Sequence, residues 1–153
     1  MAITPKHPEA KRARPVASEA RDAFVTLFST ADRVRAFFAT IIEPHGITVQ
    51  QYNVLRILRG AGSEGLLTLT IADRMIERAP GITRMIDRLE AKGLVARERC
   101  TKDRRCVYCR IKAKGLALLK RLDEPVEEGN QAAFAALSPQ EQAQLGKLLA
   151  RVR

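Results

Sequence analysis

Between residues 80 and 111 the apolar pattern changes from a helical period to an extended one within a few positions. A helix over about 80–91 is predicted by the i, i+3, i+4, i+7 spacing of Ile82, Met85, Ile86 and Leu89. Pro80 suits the first turn of this helix, and Gly93 stops it. The runs 94–100 and 106–111 are rich in β-forming residues and flank the polar pentapeptide 101–105. They predict a β-hairpin directly after the helix.

The segments on either side of this unit are predicted to be helical. A long stripe before Pro44 consists of Phe24, Leu27, Phe28, Ala31, Val34, Phe38, Ile41 and Ile42. Thr48 with Gln51, and Ser138 with Glu141, have the spacing of capping boxes that open further helices. Another helix begins at Ala113 and is expected to bend near Pro125 and Gly129. The predicted fold class is mainly α with a small β-hairpin.

A short helix is also predicted just before residue 80. Thr68 or Thr70 is the expected N-cap of this helix, because a Thr hydroxyl can accept a hydrogen bond from a free backbone amide. Its expected buried face consists of Ile71, Ala72, Met75 and Ile76. The pair of short helices is therefore joined by a tight break at 78–81.

The formal net charge of +10 suggests a polyanionic partner. Residues 71–112 hold 12 basic and 6 acidic groups, which is most of the excess. Residues 1–17 are read as a mobile basic arm, because they mix Lys, Arg and Pro without periodicity. The sequence shows neither a run of about 18 apolar residues nor a secretory leader, so we expect a cytoplasmic protein with no membrane partner.

Two short helices joined by a tight break can place the second helix in the major groove of DNA. The groove is about 12 Å wide and admits one helix. Thr83, Arg84 and Arg88 are predicted on its exposed face, where an arginine can make a bidentate contact to guanine. The alternative is a solvated helix face with internal ion pairs.

The basic tip of the predicted hairpin favours nucleic acid over that alternative. Lys102, Arg104 and Arg105 would fall on the neighbouring backbone or in the minor groove. Asp103 is expected to orient one of these arginines through a salt bridge.

The segment from Ile82 to Val95, ITRMIDRLEAKGLV, resembles the MarR family of winged helix-turn-helix regulators, as do Asp103-Arg104-Arg105 and Lys114-Gly115. The resemblance implies a winged helix-turn-helix module over 48–112, with dimerisation helices at 18–47 and 113–153. It further implies a homodimer that binds a pseudo-palindromic operator. Thr83, Arg84 and Arg88 would contact the major groove, and Arg104 and Arg105 correspond to the wing tip. A Ser or Thr helix cap near Ala79, and Leu-Thr in place of Ile111-Lys112, would be more usual in the family.

The resemblance also implies a repressor that a small-molecule effector releases from DNA. The expected effector pocket lies between the dimerisation helices and the DNA-binding module, with His45, Tyr52 and Arg56 as candidate lining residues. No cofactor is expected.

The cysteines leave a second interpretation open, that of a thiol-based redox-sensing regulator. Cys106 and Cys109 are three residues apart on a predicted strand and would point to opposite faces, which is poor geometry for a metal site. Cys100 and Cys106 could face each other across the hairpin, but we expect structural thiols. The sequence has no phosphate-binding Gly loop or metal motif, so we expect no enzyme. A thiol enzyme and a non-specific architectural DNA-binding protein are the remaining alternatives.

Overall fold

The computed structural model describes residues 18–76, 81–99 and 107–152 of the chain. The chain forms two compact units, residues 1–33 and 34–153. The helix α1 (Glu19–Ile42) begins in the first unit and ends in the second. Of its 24 residues only Ile42 is buried. Within the first unit the rings of Phe24 and Phe28 lie 4.5 Å apart, and both side chains are exposed.

The second unit contains the remaining elements. In chain order they are α2 (Val49–Gly60), β1 (Leu66–Leu67), α3 (Thr68–Arg74), α4 (Ile82–Ala91), β2 (Val95–Arg99), β3 (Val107–Ile111), α5 (Ala113–Ala133) and α6 (Pro139–Leu149). This architecture confirms the predicted fold class, a mainly helical chain with a small sheet. Within the described ranges, no helix is both long enough and apolar enough to span a bilayer.

Both predicted capping boxes are confirmed. The Thr48 hydroxyl accepts a hydrogen bond from the Gln51 amide at 3.2 Å, and the Gln51 side chain accepts one from the Thr48 amide at 3.1 Å. The same reciprocal pair joins Ser138 and Glu141 at the start of α6. Each box supplies partners to backbone amides that a helix end would otherwise leave unpaired.

The prediction for α3 was wrong in two respects. The N-cap residue is Leu67 and makes no side-chain cap bond, whereas Thr68 is the first helical residue and its hydroxyl donates to the Val107 carbonyl at 3.4 Å. Ile76 is 89% exposed and not buried. The helix ends at Arg74 because Met75 takes an extended backbone (ψ 138°), so Ile76 leaves the helical face.

The helix α4 has a sharp beginning and a sharp end. Gly81 precedes it at φ +100°, while Pro80, which was expected in the first turn, lies outside the described residues. At the other end Gly93 takes φ +71° and its amide donates to the Glu90 carbonyl, while the Leu94 amide donates to the Leu89 carbonyl. This is the Schellman arrangement, which needs a left-handed residue after the helix. The prediction that Gly93 stops the helix is confirmed.

The predicted hairpin strands are present and are joined by a third strand. The order is β1-β3-β2 with antiparallel pairs, so β3 is central. Arg97 and Leu66 both pair with Cys109, and Arg99 pairs with Val107. The two-residue strand β1 was not predicted. It links the sheet directly to α3, which follows without an intervening loop.

The core of the second unit lies where α2, α3, α4, α5 and the sheet meet. Its fully buried side chains are Ile42, Val54, Leu55, Leu58, Ile71, Ile86, Leu89, Val95, Cys109, Leu119 and Leu122. This core fixes the inner face of α4 and therefore decides which of its residues point outward.

Candidate nucleic-acid interface

The helix α4 has one buried and one exposed face, as predicted. Ile86 and Leu89 are 1% and 0% exposed, respectively. Thr83, Arg84 and Arg88 lie on the exposed face. Neither arginine forms an ion pair with any residue in ranges 18–76, 81–99 and 107–152. Within those ranges, their guanidinium groups are therefore not held by a carboxylate.

The N-terminal end of α4 also lacks a side-chain cap. Gly81 has no side chain to accept from the first amides, and its own carbonyl accepts from the Met85 amide at 3.1 Å. The first-turn amides thus point past Gly81 beside the exposed Thr83 and Arg84. Free amides at a helix N-terminus carry partial positive charge and suit a phosphate oxygen.

The acidic residues of α4 are bound by the sheet. Arg97 on β2 places Nη1 2.6 Å from Asp87 Oδ1 and Nη2 2.6 Å from Glu90 Oε2. Its Nε and its backbone amide also donate to the Glu90 carboxylate, at 2.8 and 3.1 Å. The side-chain hydrogen bond from Arg97 holds the pKa of the Glu90 carboxyl below its ordinary value of 4.5. Among these described residues, Asp87 and Glu90 therefore pair with Arg97 on β2 and not with the arginines of α4 itself, as the alternative of a solvated helix face would require.

Arg97 was missed in the sequence, although a signal was present. It stands two positions after the buried Val95, and strand residues two apart share a face. A charged residue on the strand face that packs against a helix can pair with a carboxylate of that helix, and the Arg97 side chain still keeps 33% of its surface exposed. Across the sheet it pairs with the buried Cys109, which lies on the same inward face.

The predicted wing-tip residues Lys102, Asp103, Arg104 and Arg105 lie outside the described residues. The strands that flank them are described up to the pair formed by Arg99 and Val107. On the outer face of the sheet Arg110 and Glu98 form an ion pair at 3.2 Å. The described part of the hairpin therefore has an inward ion-pair system around Arg97 and an outward one around Arg110.

Cys109 is fully buried, and its sulfur lies 3.6 Å from the Thr68 hydroxyl oxygen. Burial raises the pKa of this thiol above its ordinary value of 9.0, although the bond to Thr68 opposes the rise. A buried protonated thiol is a weak nucleophile. Cys100 and Cys106 lie outside the described residues. Among those that are described, no group of three or more His, Cys, Asp or Glu residues is arranged to hold a metal ion.

The three candidate effector-pocket residues fall into two places. Tyr52 and Arg56 are together on α2, with the guanidinium carbon 6.0 Å from the centre of the Tyr52 ring. Burial raises the pKa of the Tyr52 phenol above 10.0, while the charge of Arg56 opposes the rise. His45 is instead exposed and lines a cavity of about 180 Å³ that also involves Lys92, Lys114 and Arg121.

Comparisons with known proteins find relatives of both the sequence and the fold. Residues 47–107 match the profile of the MarR family. The homoprotocatechuate degradative operon repressor of Escherichia coli is 29% identical over 125 residues, which are 82% of this chain and 83% of the repressor. A MarR transcription factor from Planctomyces limnophilus is 40% identical and superposes with a TM-score of 0.70 over 89% of this chain and 98% of that one. BpsR of Bordetella bronchiseptica, whose DNA binding is regulated by 6-hydroxynicotinic acid, is 27% identical with a TM-score of 0.76, over 85% and 97% of the two chains.

Proposed function

Because the chain belongs to the MarR family of transcriptional regulators, we propose that it is a sequence-specific homodimeric repressor that binds double-stranded DNA. The observation that carries the proposal is the exposed face of α4. It offers Thr83, Arg84 and Arg88 beside uncapped helix amides, and the two arginines have no ion-pair partner in the described chain.

In this proposal α4 enters the major groove and each side chain has its own role. Arg84, in the first turn, makes a bidentate contact to a guanine edge. Arg88, one turn later, binds a base or a phosphate, and Thr83 contacts a thymine methyl or a phosphate. Lys102, Arg104 and Arg105 contact the adjacent backbone or minor groove, with Asp103 orienting one of the arginines.

Two sets of exposed apolar side chains support the dimer. On α1 they are Phe24, Val25 and Phe28, which are 57–61% exposed. On and after α6 they are Leu148, Leu149 and Val152, and α6 has no buried residue. A helix that buries nothing in its own chain is stabilised by packing elsewhere. We infer that these apolar residues of α1 and α6 lie at the dimer interface, which would place two half-sites about 34–36 Å apart.

The proposed control of DNA binding is release by a small organic acid. The support comes from the relatives, since 6-hydroxynicotinic acid regulates BpsR and homoprotocatechuate appears in the name of the Escherichia coli repressor. The candidate binding residues remain Tyr52 and Arg56 on α2 and, separately, His45. Calorimetric titration with 6-hydroxynicotinic acid tells these positions apart. The variant that loses binding, among Arg56→Met, Tyr52→Phe and His45→Ala, identifies the residue that contacts the acid.

Sequence-specific binding is tested with a duplex that the full chain selects from a random library. A specific factor prefers this duplex over a scrambled one by roughly 10³-fold or more at physiological salt. Arg84→Ala is expected to weaken the selected duplex by about 1–3 kcal/mol and to relax sequence choice at one position. Arg104→Ala should weaken both duplexes more evenly, because a phosphate contact carries no sequence information.

Lys120→Ala is the matched control, because this exposed cation lies on α5, away from α4. It should leave the preference between duplexes unchanged. Equal wild-type affinity for selected and scrambled duplexes would argue against a specific repressor and for an architectural protein. A monomer in sedimentation at micromolar concentration would remove the dimer from the proposal.

A further inference from the structure

Asp87 occupies an unfavourable position on a helix that faces DNA. It is exposed on the same side of α4 as Arg84 and Arg88, and its side chain is 48% exposed. A carboxylate there repels phosphate. It also lies three residues after Arg84, a spacing at which opposite charges on a helix pair with each other. An Arg84 paired with Asp87 would lose the free donors that a base contact needs.

The structure gives Asp87 a different partner. Arg97 Nη1 lies 2.6 Å from Asp87 Oδ1, and Arg84 has no ion pair in the described chain. The other edge of the same guanidinium is fixed by Glu90 through Nη2 and Nε, at 2.6 and 2.8 Å. A planar guanidinium with two carboxylates on two edges has little freedom to rotate away.

The backbone on both sides of this contact is held as well. The Arg97 amide donates to Glu90 at 3.1 Å, so the strand itself and not only the side chain is tied to α4. Arg97 is paired in register with the buried Cys109 of β3. The contact therefore joins the recognition helix to the base of the wing at one defined position.

We propose that Arg97 is a positioning residue for DNA recognition, which keeps Asp87 away from Arg84 and fixes the base of the wing against α4. The inference rests on the proposed function, since it assigns the role of Arg97 in the same interface. Arg97 itself contacts no base in this scheme. It acts through the two carboxylates.

The test measures affinity for the selected and the scrambled duplex in the full-length protein. Arg97→Met should weaken the selected duplex about tenfold and the scrambled duplex less, so that the preference shrinks. Adding Asp87→Asn to Arg97→Met should restore at least half of the lost preference, because the amide no longer competes for Arg84. Arg97→Lys keeps the charge but loses the planar group that binds two carboxylates. Its preference for the selected duplex should lie between that of wild type and that of Arg97→Met.

Arg110→Met is the matched control, because Arg110 lies on the outer face of the same sheet and pairs with Glu98. It removes the same charge and should lower the affinity for both duplexes equally. Failure of Asp87→Asn to restore any preference would overturn the shielding of Arg84. An unchanged preference in Arg97→Met, as in Arg110→Met, would overturn the positioning role.

Two further measurements serve as controls. Asp87→Asn alone retains Arg97 and should bind the selected duplex as tightly as wild type or more tightly, and a tenfold loss would contradict the proposal. In the DNA-free protein, NMR titration should find the pKa of the Glu90 carboxyl below its ordinary value in the wild type and near it in Arg97→Met. An unaltered Glu90 pKa would overturn the contact itself, whereas absence of any sequence preference in the wild type would overturn only the proposed function.

Discussion

Lys114 Nζ donates a hydrogen bond to the carbonyl oxygen of Lys92 at 2.9 Å, which joins the first turn of α5 to the last turn of α4. The ammonium of Lys92 in turn donates to the Gly46 carbonyl between α1 and α2. Two lysines thus connect α4, α5 and the segment between α1 and α2 around the C-terminal end of α4. Cations at this end also interact favourably with the helix dipole.

Lys114→Met is expected to destabilise the protein because it removes one of the cations at the C-terminal end of α4 and its hydrogen bond to the Lys92 carbonyl. The expected loss in the free energy of unfolding is about 0.3–1 kcal/mol, since both lysines are exposed to solvent. Urea denaturation measures it. Lys120→Met removes the same charge from an exposed position of α5 that lacks this contact, and a loss as large as that of Lys114→Met would contradict the role of the bond.

Gly115→Ala is expected to destabilise the protein by about 1–3 kcal/mol through overpacking. An added Cβ would lie 2.5 Å from the Leu94 carbonyl oxygen and 2.8 Å from Ile111 Cγ1, and the carbonyl belongs to the backbone. Gly146→Ala in α6 meets nothing within 4 Å and should instead be neutral or stabilise by up to about 1 kcal/mol. Thermal unfolding of both variants tests this contrast. Equal stability of Gly115→Ala and Gly146→Ala would show that α5 shifts to accept the added methyl group without a loss of stability.

Glu90 should stabilise the fold at neutral pH and lose this contribution in acid. Its folded pKa is lowered by Arg97, so the stabilisation is complete above the unfolded value near 4.5 and declines as pH falls through the lower folded pKa. Because the pair is partly exposed, the expected gain is about 0.2–1 kcal/mol. The free energies of unfolding of wild type and Glu90→Gln, measured in urea, should therefore differ at pH 7 and converge as pH falls below the lowered pKa of Glu90. A difference that persists in acid would point to packing and not to charge.

Cys109 should react slowly with thiol reagents in the folded protein. Its side chain is buried and burial raises the pKa of the thiol, so little thiolate is present at neutral pH. Cys100→Ser/Cys106→Ser leaves it as the only cysteine of the chain. Alkylation of this variant by iodoacetamide should be complete in denaturant and far slower without it. Rapid alkylation under native conditions, with loss of DNA binding, would support the redox-sensing alternative at Cys109.

Local patterns predicted those features whose causes are local. The capping boxes at Thr48 and Ser138 depend on residues three positions apart, and the end of α4 depends on Gly93. The exposed face of α4 followed from its apolar period, because the core opposite leaves only one orientation. Here sequence and structure agree residue by residue.

The features that were missed depend on distant parts of the chain. Leu66 and Leu67 form a strand only because β3 lies beside them, and two residues carry no periodic signal. Ile76 fits a helical stripe, yet the backbone leaves the helix at Met75. Arg97 became interpretable only once β2 and α4 were adjacent in space. In each case tertiary contact overrides the local preference.

Because β3 is the central strand, a change in its register would disturb its pairing with both neighbouring strands. A slip of one residue would turn Cys109 from the core to the outer face and would carry Arg110 inward. The same slip would break the pairing of β3 with Leu66 and Leu67 on its other edge, at the entrance of α3. Deleting a single residue from β3 should therefore lower the free energy of unfolding of the second unit. Changes that alter the reach of the wing are better made beyond the pair of Arg99 and Val107, where they leave this register intact.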